Sequence, residues 1–204
     1  MLGKNHITTN LSVLIIGASG WCALAQSDAQ VLQGAQSIQE AVSRWYMIET
    51  EWSLFPVMLV SVFWYLLGTL LPDIDTPSSI LGRHVHINLE HRTWTHSVWA
   101  LILLGVLIFF HAPIIFALLG YILHMVFDSF SKGGVAWFYP ISGYRRYPNG
   151  AKIRKGNHIT LYRTGDTAER MLVALVGISA LIVFSISVFY DIYPPPFDLF
   201  RQAF

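Results

Sequence analysis

Charged residues are scarce in this chain of 204 residues: they make up 12% of it, whereas hydrophobic residues make up 54%. A soluble globular domain usually carries about 25% charged residues, so this composition excludes an ordinary soluble protein. The mean hydropathy of +0.50 leads to the same conclusion. We therefore predict a membrane protein. The formal net charge of +1 points to no class of partner, and no nucleic-acid partner is expected.

Cysteine is nearly absent as well. The single Cys22 lies in an apolar run, which excludes an internal disulfide framework and a zinc finger built on cysteines. Any metal site in this chain must therefore use histidines and carboxylates.

Long apolar stretches dominate the rest of the chain. We predict an all-α, polytopic helical bundle that forms a single membrane-embedded domain over residues 1–204. A proline disfavours helix in the residue before it, so we break the apolar block that follows residue 96 at Pro113. The first arm of this hairpin is short for a full crossing unless it is tilted. The five predicted spans are 7–25, 53–71, 97–110, 113–130 and 171–190.

The first apolar stretch has a second interpretation. Ala23-Leu24-Ala25 followed by Gln26 is also typical of a signal-peptidase site after a short apolar core. Cleavage there would remove His6. Both alternatives, a retained span and a cleaved signal peptide, stay open at this point.

Charge is distributed unevenly between the loops. Residues 29–48 have apolar side chains at three-to-four spacing and predict an amphipathic helix. Around it, residues 26–52 contain four acidic residues and only Arg44, whereas the loop 131–168 is basic. The positive-inside tendency assigns the basic loop to the cytoplasm, so five spans give an internal N-terminus and an external C-terminus. Eight of the thirteen Lys and Arg residues lie in this loop or just after it: Lys132, Arg145, Arg146, Lys152, Arg154, Lys155, Arg163 and Arg170.

The ionisable side chains of interest gather where apolar sequence gives way to polar sequence. Such residues are costly to place beside a membrane without a partner, and a divalent cation is a partner that suits imidazoles and carboxylates. With the predicted topology, all candidates fall at the cytoplasmic face. The predicted metal ligands are His6, Asp73, Asp75, His91, His96, His124 and Asp128.

Each pair in this set has an ordinary interpretation too. His124 and Asp128 are four apart on one helix face, which also suits a buried polar pair. Asp73 and Asp75 repel each other unless a cation or an arginine lies between them, although a capping or solvated loop would accommodate them. Histidines before a helix are disfavoured in their charged form. His84, His86 and His158 are interpreted as loop residues, and His111 as a turn residue on the far side.

Several motifs carry a resemblance to a known family. Leu71-Pro72-Asp73-Ile74-Asp75, Leu81-Gly82, the segment from His91 to Ser97, Gly120-Tyr121 and the segment from His124 to Asp128 resemble the YdjM-like family of bacterial inner-membrane proteins. That family is described as membrane-bound, metal-dependent hydrolases, some of them under LexA control. Two residues depart from its pattern: Thr76 stands where a histidine is common, and Trp94 where Gly-Phe is frequent.

More distantly, the order of histidines and aspartates is similar to that of zinc-dependent phospholipase C and single-strand nucleases. This similarity implies clustered zinc ions, with Asp128 bridging two of them. With the donor types also considered, we expect one to three divalent cations, zinc or manganese. Shared ligand order does not establish a shared substrate.

Two functional hypotheses follow. The first is a multi-pass hydrolase of the bacterial inner membrane that contacts membrane lipids and cleaves a phosphoester in a small, phospholipid or lipid-linked substrate. In it, Asp73 is the candidate general base or orienting residue, and Arg92 the candidate that neutralises phosphate charge. The alternative is a non-catalytic membrane protein whose metal fixes the loops for partner binding or transport.

Overall fold

Five α-helices build the part of the protein that the structure describes. The computed structural model describes residues 3–27, 33, 37, 40, 54–85, 91–141, 144–146, 152–154 and 161–189. Its α-helices are α1 (Gly3–Ser27), α2 (Leu54–Leu70), α3 (Val98–Leu107), α4 (Ile114–Ser129) and α5 (Thr167–Phe189). The predicted helical fold is confirmed. The predicted amphipathic helix at 29–48 lies outside the described residues except for positions 33, 37 and 40, each of which is helical.

Short elements complete the described part of the chain. Two 3-10 helices, Leu71–Asp75 and Trp94–His96, adjoin the helix ends. A two-stranded antiparallel hairpin, β1 (Tyr144–Arg146) and β2 (Lys152–Arg154), lies within the basic loop and pairs Arg145 with Ile153. The sequence predicts only turns in this loop, so the hairpin is an addition to the expected all-α fold. Much of the loop lies outside the described residues.

Glycines let α2 and α4 approach each other closely. A Cβ at Gly68 would overlap the carbonyl oxygen of Ala117, and a Cβ at Gly120 would overlap the carbonyl oxygen of Tyr65. Neither position has room for a larger residue unless the backbones separate. The helix pair is therefore fixed at short range, and both helices end beside the polar cluster described below.

A buried polar network ties α1 to this pair. Asn10 Nδ2 donates to Thr69 Oγ1 at 3.0 Å and to the carbonyl oxygen of Gly120 at 3.1 Å. Tyr65 donates its hydroxyl proton to the carbonyl oxygen of Asn10 at 2.7 Å. Since Asn10, Thr69 and Tyr65 are all buried, these bonds satisfy groups that would be costly in an apolar interior.

The helices alternate in direction, so five helix ends meet at one end of the molecule. There, Asn5 near the start of α1 donates to Glu169 in the first turn of α5 at 2.6 Å. A small apolar core of Tyr121, Met125 and Val135 lies beneath this end. Every residue proposed from the sequence as a ligand belongs to this group of helix ends or to the segments that join them.

The length and hydropathy of the helices bear on the membrane. Within the described residues, α5 is long and apolar enough over Thr167–Ser187 to cross a bilayer, while α3 and α4 are apolar but shorter. Large apolar side chains are exposed along these helices, including Leu103, Leu119 and Leu181. A bilayer would cover such a surface.

Candidate metal centre

Four ligand-type atoms face one another at the end of the bundle. His124 Nε2 lies 3.6 Å from Asp73 Oδ1 and 3.8 Å from Asp128 Oδ2. His96 Nε2 lies 3.8 Å from Asp73 Oδ1 and 3.6 Å from Asp128 Oδ2. Ligand atoms about 2.1 Å from a tetrahedral zinc are about 3.4 Å apart. The four nitrogen–oxygen distances are therefore close to the separations between ligand atoms that a bound cation requires.

His124 is held in one tautomer by the backbone of α2. Its Nδ1 lies 2.8 Å from the carbonyl oxygen of Thr69, which can only accept, so Nδ1 carries the proton. The lone pair of the ring is thus on Nε2, the atom that faces the two aspartates. Metal-binding histidines commonly have their other nitrogen bonded in this way.

His96 is held in the same tautomer by a side chain. Its Nδ1 lies 3.0 Å from Thr95 Oγ1, and the Thr95 hydroxyl donates to Asp75 Oδ2 at 2.5 Å. Because the only hydroxyl proton of Thr95 is donated to Asp75, Thr95 Oγ1 must accept the proton of His96 Nδ1. Burial lowers the pKa of His96 below its usual value although Asp128 and Asp73 act in the opposite direction. The ring is thus neutral, as a ligand must be.

Among the described residues, three buried ring nitrogens lack the partner that burial normally demands: Nδ1 of His6, and Nε2 of His96 and His124. Nε2 of His96 and Nε2 of His124 are fully buried and make no hydrogen bond. A buried nitrogen lone pair without a partner is costly, and a cation between the rings would satisfy both. The donor set of two neutral imidazoles and two carboxylates suits zinc or manganese, and a divalent cation would neutralise the two carboxylates. The residues present therefore fit a metal.

Asp75 is bonded to residues that adjoin this group. Its Oδ1 accepts from His91 Nδ1 at 2.8 Å, and its Oδ2 accepts from Thr95. Burial alone would raise the pKa of Asp75, but the hydrogen bonds from His91 and Thr95 outweigh it and hold the pKa below its usual value. Thr76, at the position where the resembled family often has a histidine, places its hydroxyl 2.8 Å from His91 Nδ1.

His6 and His91 flank the four atoms on opposite sides. His6 Nε2 lies 3.1 Å from Asp128 Oδ1, and its ring stacks on that of His124 with centroids 3.7 Å apart. His91 belongs with Asp73 and His96 to a second group of ligand atoms that lie within 4.8 Å of one another. The structure thus brings all seven predicted ligands to one place, and each flank offers a position for a further cation.

Arg92 completes the cluster with a positive charge. Its guanidinium Nη2 lies 2.9 Å from Asp128 Oδ2, and Nη1 donates to Ser131 Oγ at 3.1 Å. The backbone of Arg92 has a φ of 64°, in the left-handed region that non-glycine residues seldom occupy. Such strain costs on the order of 1–3 kcal/mol and persists where the surroundings hold it, often at functional sites. Arg92, predicted to contact a phosphate, is thus bonded to Asp128.

Sequence reasoning missed several residues that position this cluster. The predicted ligands did not include Thr95, yet the Thr95 hydroxyl is bonded to Asp75 and His96. Thr69 acts through its carbonyl oxygen, for which a sequence carries no signal. Tyr121 donates its hydroxyl to the carbonyl oxygen of Thr95. Of the remaining histidines, His84 is exposed in the loop after α2, and His111 contacts Trp64 at the far end.

Comparison with known proteins adds one finding. No curated protein and no solved structure matches this chain. A family model described as YdjM inner membrane protein matches residues 29–192. This range covers most of the chain, including the motifs around Asp73, His96 and His124. The chain therefore belongs to the YdjM family of inner membrane proteins.

Proposed function

We propose that this protein is a multi-pass, divalent-metal-dependent hydrolase of the inner membrane that acts on a phosphoester. The residues that would hold the cation are Asp73, His96, His124 and Asp128. The observation that carries the proposal is the pair of buried Nε2 atoms of His96 and His124, which face two carboxylates and have no hydrogen-bond partner. A bound divalent cation supplies Lewis-acid activation of water and of a phosphate oxygen.

The cluster has one open side, which a hydrolase needs. The side chains of His6, His96, His124 and Asp128 are at most 1% exposed, whereas that of Asp73 is 13% exposed and that of His91 is 40% exposed. A substrate would therefore approach past Asp73 and His91. Asp73 remains the candidate to orient a water molecule at this opening. Arg92 would contribute indirectly, because its ion pair with Asp128 holds that carboxylate in place.

The surroundings of the opening favour an amphiphilic substrate. Trp94, three residues after His91, is exposed and packs edge-to-face on Tyr139, with ring centroids 5.2 Å apart. Phe138 and Ile141 on the same loop are also exposed, Ile141 by 78%. Aromatic residues of this kind lie at membrane–water interfaces. A phospholipid or lipid-linked phosphoester would keep its chains among these side chains while its phosphate reaches the cluster.

The proposed topology places this opening at the cytoplasmic face. Eight basic residues lie between Lys132 and Arg170 in the sequence, and the positive-inside tendency assigns that loop to the cytoplasm. With five membrane crossings, all residues of the cluster would lie on the cytoplasmic side of the membrane. The alternation of helix directions supports this arrangement, since the starts of α1, α3 and α5 and the ends of α2 and α4 lie together.

A structural metal is the second candidate function. The near-complete burial of His6, His96, His124 and Asp128 favours it, because structural sites are closed and catalytic sites keep an open position. In that case the cation would fix the loops for partner binding or transport.

One experiment separates the two candidates. Protein purified in detergent is analysed for metal and then assayed with bis(p-nitrophenyl) phosphate and with phospholipid micelles. The hydrolase proposal expects at least one tightly bound divalent cation and hydrolysis that a chelator abolishes. Replacing Asp73 by Asn should lower hydrolysis by about a hundredfold or more, because an amide can neither replace the carboxylate beside the cation nor act as a base. Bound metal without turnover of any phosphoester would favour the structural site, and no bound metal would reject both.

A further inference from the structure

We propose that Asp75 and Thr95 are positioning residues that fix the tautomer and the ring orientation of His96 toward a cation, and that Asp75 is not itself a ligand. This inference rests on the metal site proposed above. It assigns a different role to Asp75 from the one that its position in the sequence predicts. It also gives Thr95 a role in the chemistry of the site.

Both carboxylate oxygens of Asp75 accept hydrogen bonds from neighbouring side chains. Oδ1 accepts from His91 Nδ1 at 2.8 Å, and Oδ2 accepts from Thr95 Oγ1 at 2.5 Å. Among the described residues, two groups have ligand atoms within 4.8 Å of one another, and Asp75 belongs to neither: one is His6, His124 and Asp128, the other Asp73, His91 and His96. Asp75 is only 4% exposed, so its carboxylate has little freedom to turn. A single carboxylate therefore orients two histidines, His91 directly and His96 through Thr95.

The hydrogen bonds of Thr95 can run in only one direction. A threonine hydroxyl has one proton, and an ionised carboxylate only accepts, so the proton points at Asp75. The oxygen of Thr95 then accepts a proton from His96 Nδ1, 3.0 Å away. This leaves the lone pair of His96 on Nε2, which faces Asp73 and Asp128. Without Asp75, the Thr95 hydroxyl could donate to His96 instead and favour the opposite tautomer.

The backbone around Thr95 is fixed as well. Tyr121 in α4 donates its hydroxyl to the carbonyl oxygen of Thr95. The amide of His96 donates to the carbonyl oxygen of Thr93 at 3.1 Å. Since α4 also carries His124, one helix holds both of the rings whose Nε2 atoms face Asp73 and Asp128. Loss of such an orienting partner typically costs 10–100-fold in metal affinity.

Titration of the full-length, metal-free protein with Co²⁺, followed by visible absorption, tests this inference. Thr95→Val removes the hydroxyl and keeps the shape, so we expect Co²⁺ binding to weaken by at least tenfold, while Thr95→Ser restores it to within about threefold. Thr8→Val is the matched control, because Thr8 is exposed and its hydroxyl donates to the carbonyl oxygen of Lys4 in its own helix. The thermal unfolding of each metal-free variant shows whether it is folded.

Asparagine variants separate an orienting residue from a ligand. Asp75→Asn should weaken Co²⁺ binding at least tenfold but keep the stoichiometry and the absorption spectrum at saturation. Asp73→Asn should change the spectrum, because Asp73 faces the cation directly. Unchanged affinity in folded Thr95→Val, or a changed spectrum at saturation in Asp75→Asn, would overturn the inference and leave the metal site intact. A wild-type protein that binds no Co²⁺, Zn²⁺ or Mn²⁺ would overturn the metal site and the inference together.

Discussion

Arg92 and Asp128 form a buried ion pair in the cluster, with the guanidinium Nη2 2.9 Å from the carboxylate Oδ2. The pair joins the segment before α3 to the end of α4. It also supplies a positive charge beside a carboxylate that the proposed cation would share. Arg92 and the cation therefore neutralise the same aspartate.

This shared role predicts how Arg92→Met changes stability. Without metal, the variant removes the guanidinium charge that faces the buried Asp128 carboxylate, and breaking a buried pair on one side typically costs about 3–5 kcal/mol. With metal, the cation supplies the missing charge. We expect the loss in Tm to be clearly larger in EDTA than in zinc, as measured by thermal unfolding in detergent. Arg83→Met, at an exposed loop position, should be neutral in both. Equal losses with and without zinc would argue against a shared carboxylate.

Gly120 predicts a link between helix packing and the site. Gly120→Ala places a methyl group against the carbonyl oxygen of Tyr65 and forces α2 away from α4. Overpacking of this kind costs about 1–3 kcal/mol. It should also weaken metal binding, because Asp73 follows α2 while His124 lies on α4. Gly105→Ala is the control, since nothing lies within 4 Å of a Cβ there. Metal titration of both variants tests the link; unchanged affinity in Gly120→Ala would show that the site tolerates separation of the helices.

The start of α5 predicts a dependence of stability on pH. The backbone N–H groups of Glu169 and Arg163 donate to the Asp166 carboxylate and hold its pKa below the usual value. A depressed pKa in the folded state contributes stability above the unfolded pKa of about 3.9, and this contribution is lost as the pH falls through the folded value. Asp166→Ala should therefore lower Tm at pH 7, and the difference from wild type should shrink toward pH 3. A difference in Tm that stays constant between pH 7 and pH 3 would contradict this role of the Asp166 carboxylate.

The topology predicts opposite locations for two reporter fusions. A fusion at Gly150, in the basic loop, should report the cytoplasm, and a fusion at Ser37 should report the opposite side. If both fusions report one side, the five-span arrangement is wrong. The single-face placement of the cluster in the membrane would then be wrong as well.

The sequence predicted the helices well and the short-range chemistry of the site only in part. The apolar run 53–71 corresponds to α2, and Pro113 stands directly before α4, because apolar runs and prolines act locally. The hairpin of Tyr144–Arg146 with Lys152–Arg154 was not predicted, since its three-residue strands are too short for a pattern to emerge. Residues that meet at helix ends were recognisable because ionisable groups are rare in this chain.

Roles within the cluster depended on geometry that no spacing encodes. Asp73 and Asp75 look alike in the sequence, yet Asp73 faces His96 and His124 while Asp75 bonds to His91 and Thr95. Arg92 has a left-handed backbone conformation that turns its guanidinium toward Asp128. The contact between His124 and the carbonyl oxygen of Thr69 could not be predicted either, because every residue has a backbone carbonyl.

Metal content tests the central claim most directly. Wild-type protein and the variants His124→Ala and His84→Ala, purified in parallel and equilibrated with zinc, are compared by elemental analysis per mole of folded protein. Wild type and His84→Ala should hold the same complement, because His84 is an exposed loop residue. His124→Ala should lose most of the metal while still folding, because it removes one of the four facing ligand atoms. A folded His124→Ala variant that keeps the full complement would contradict the proposed site.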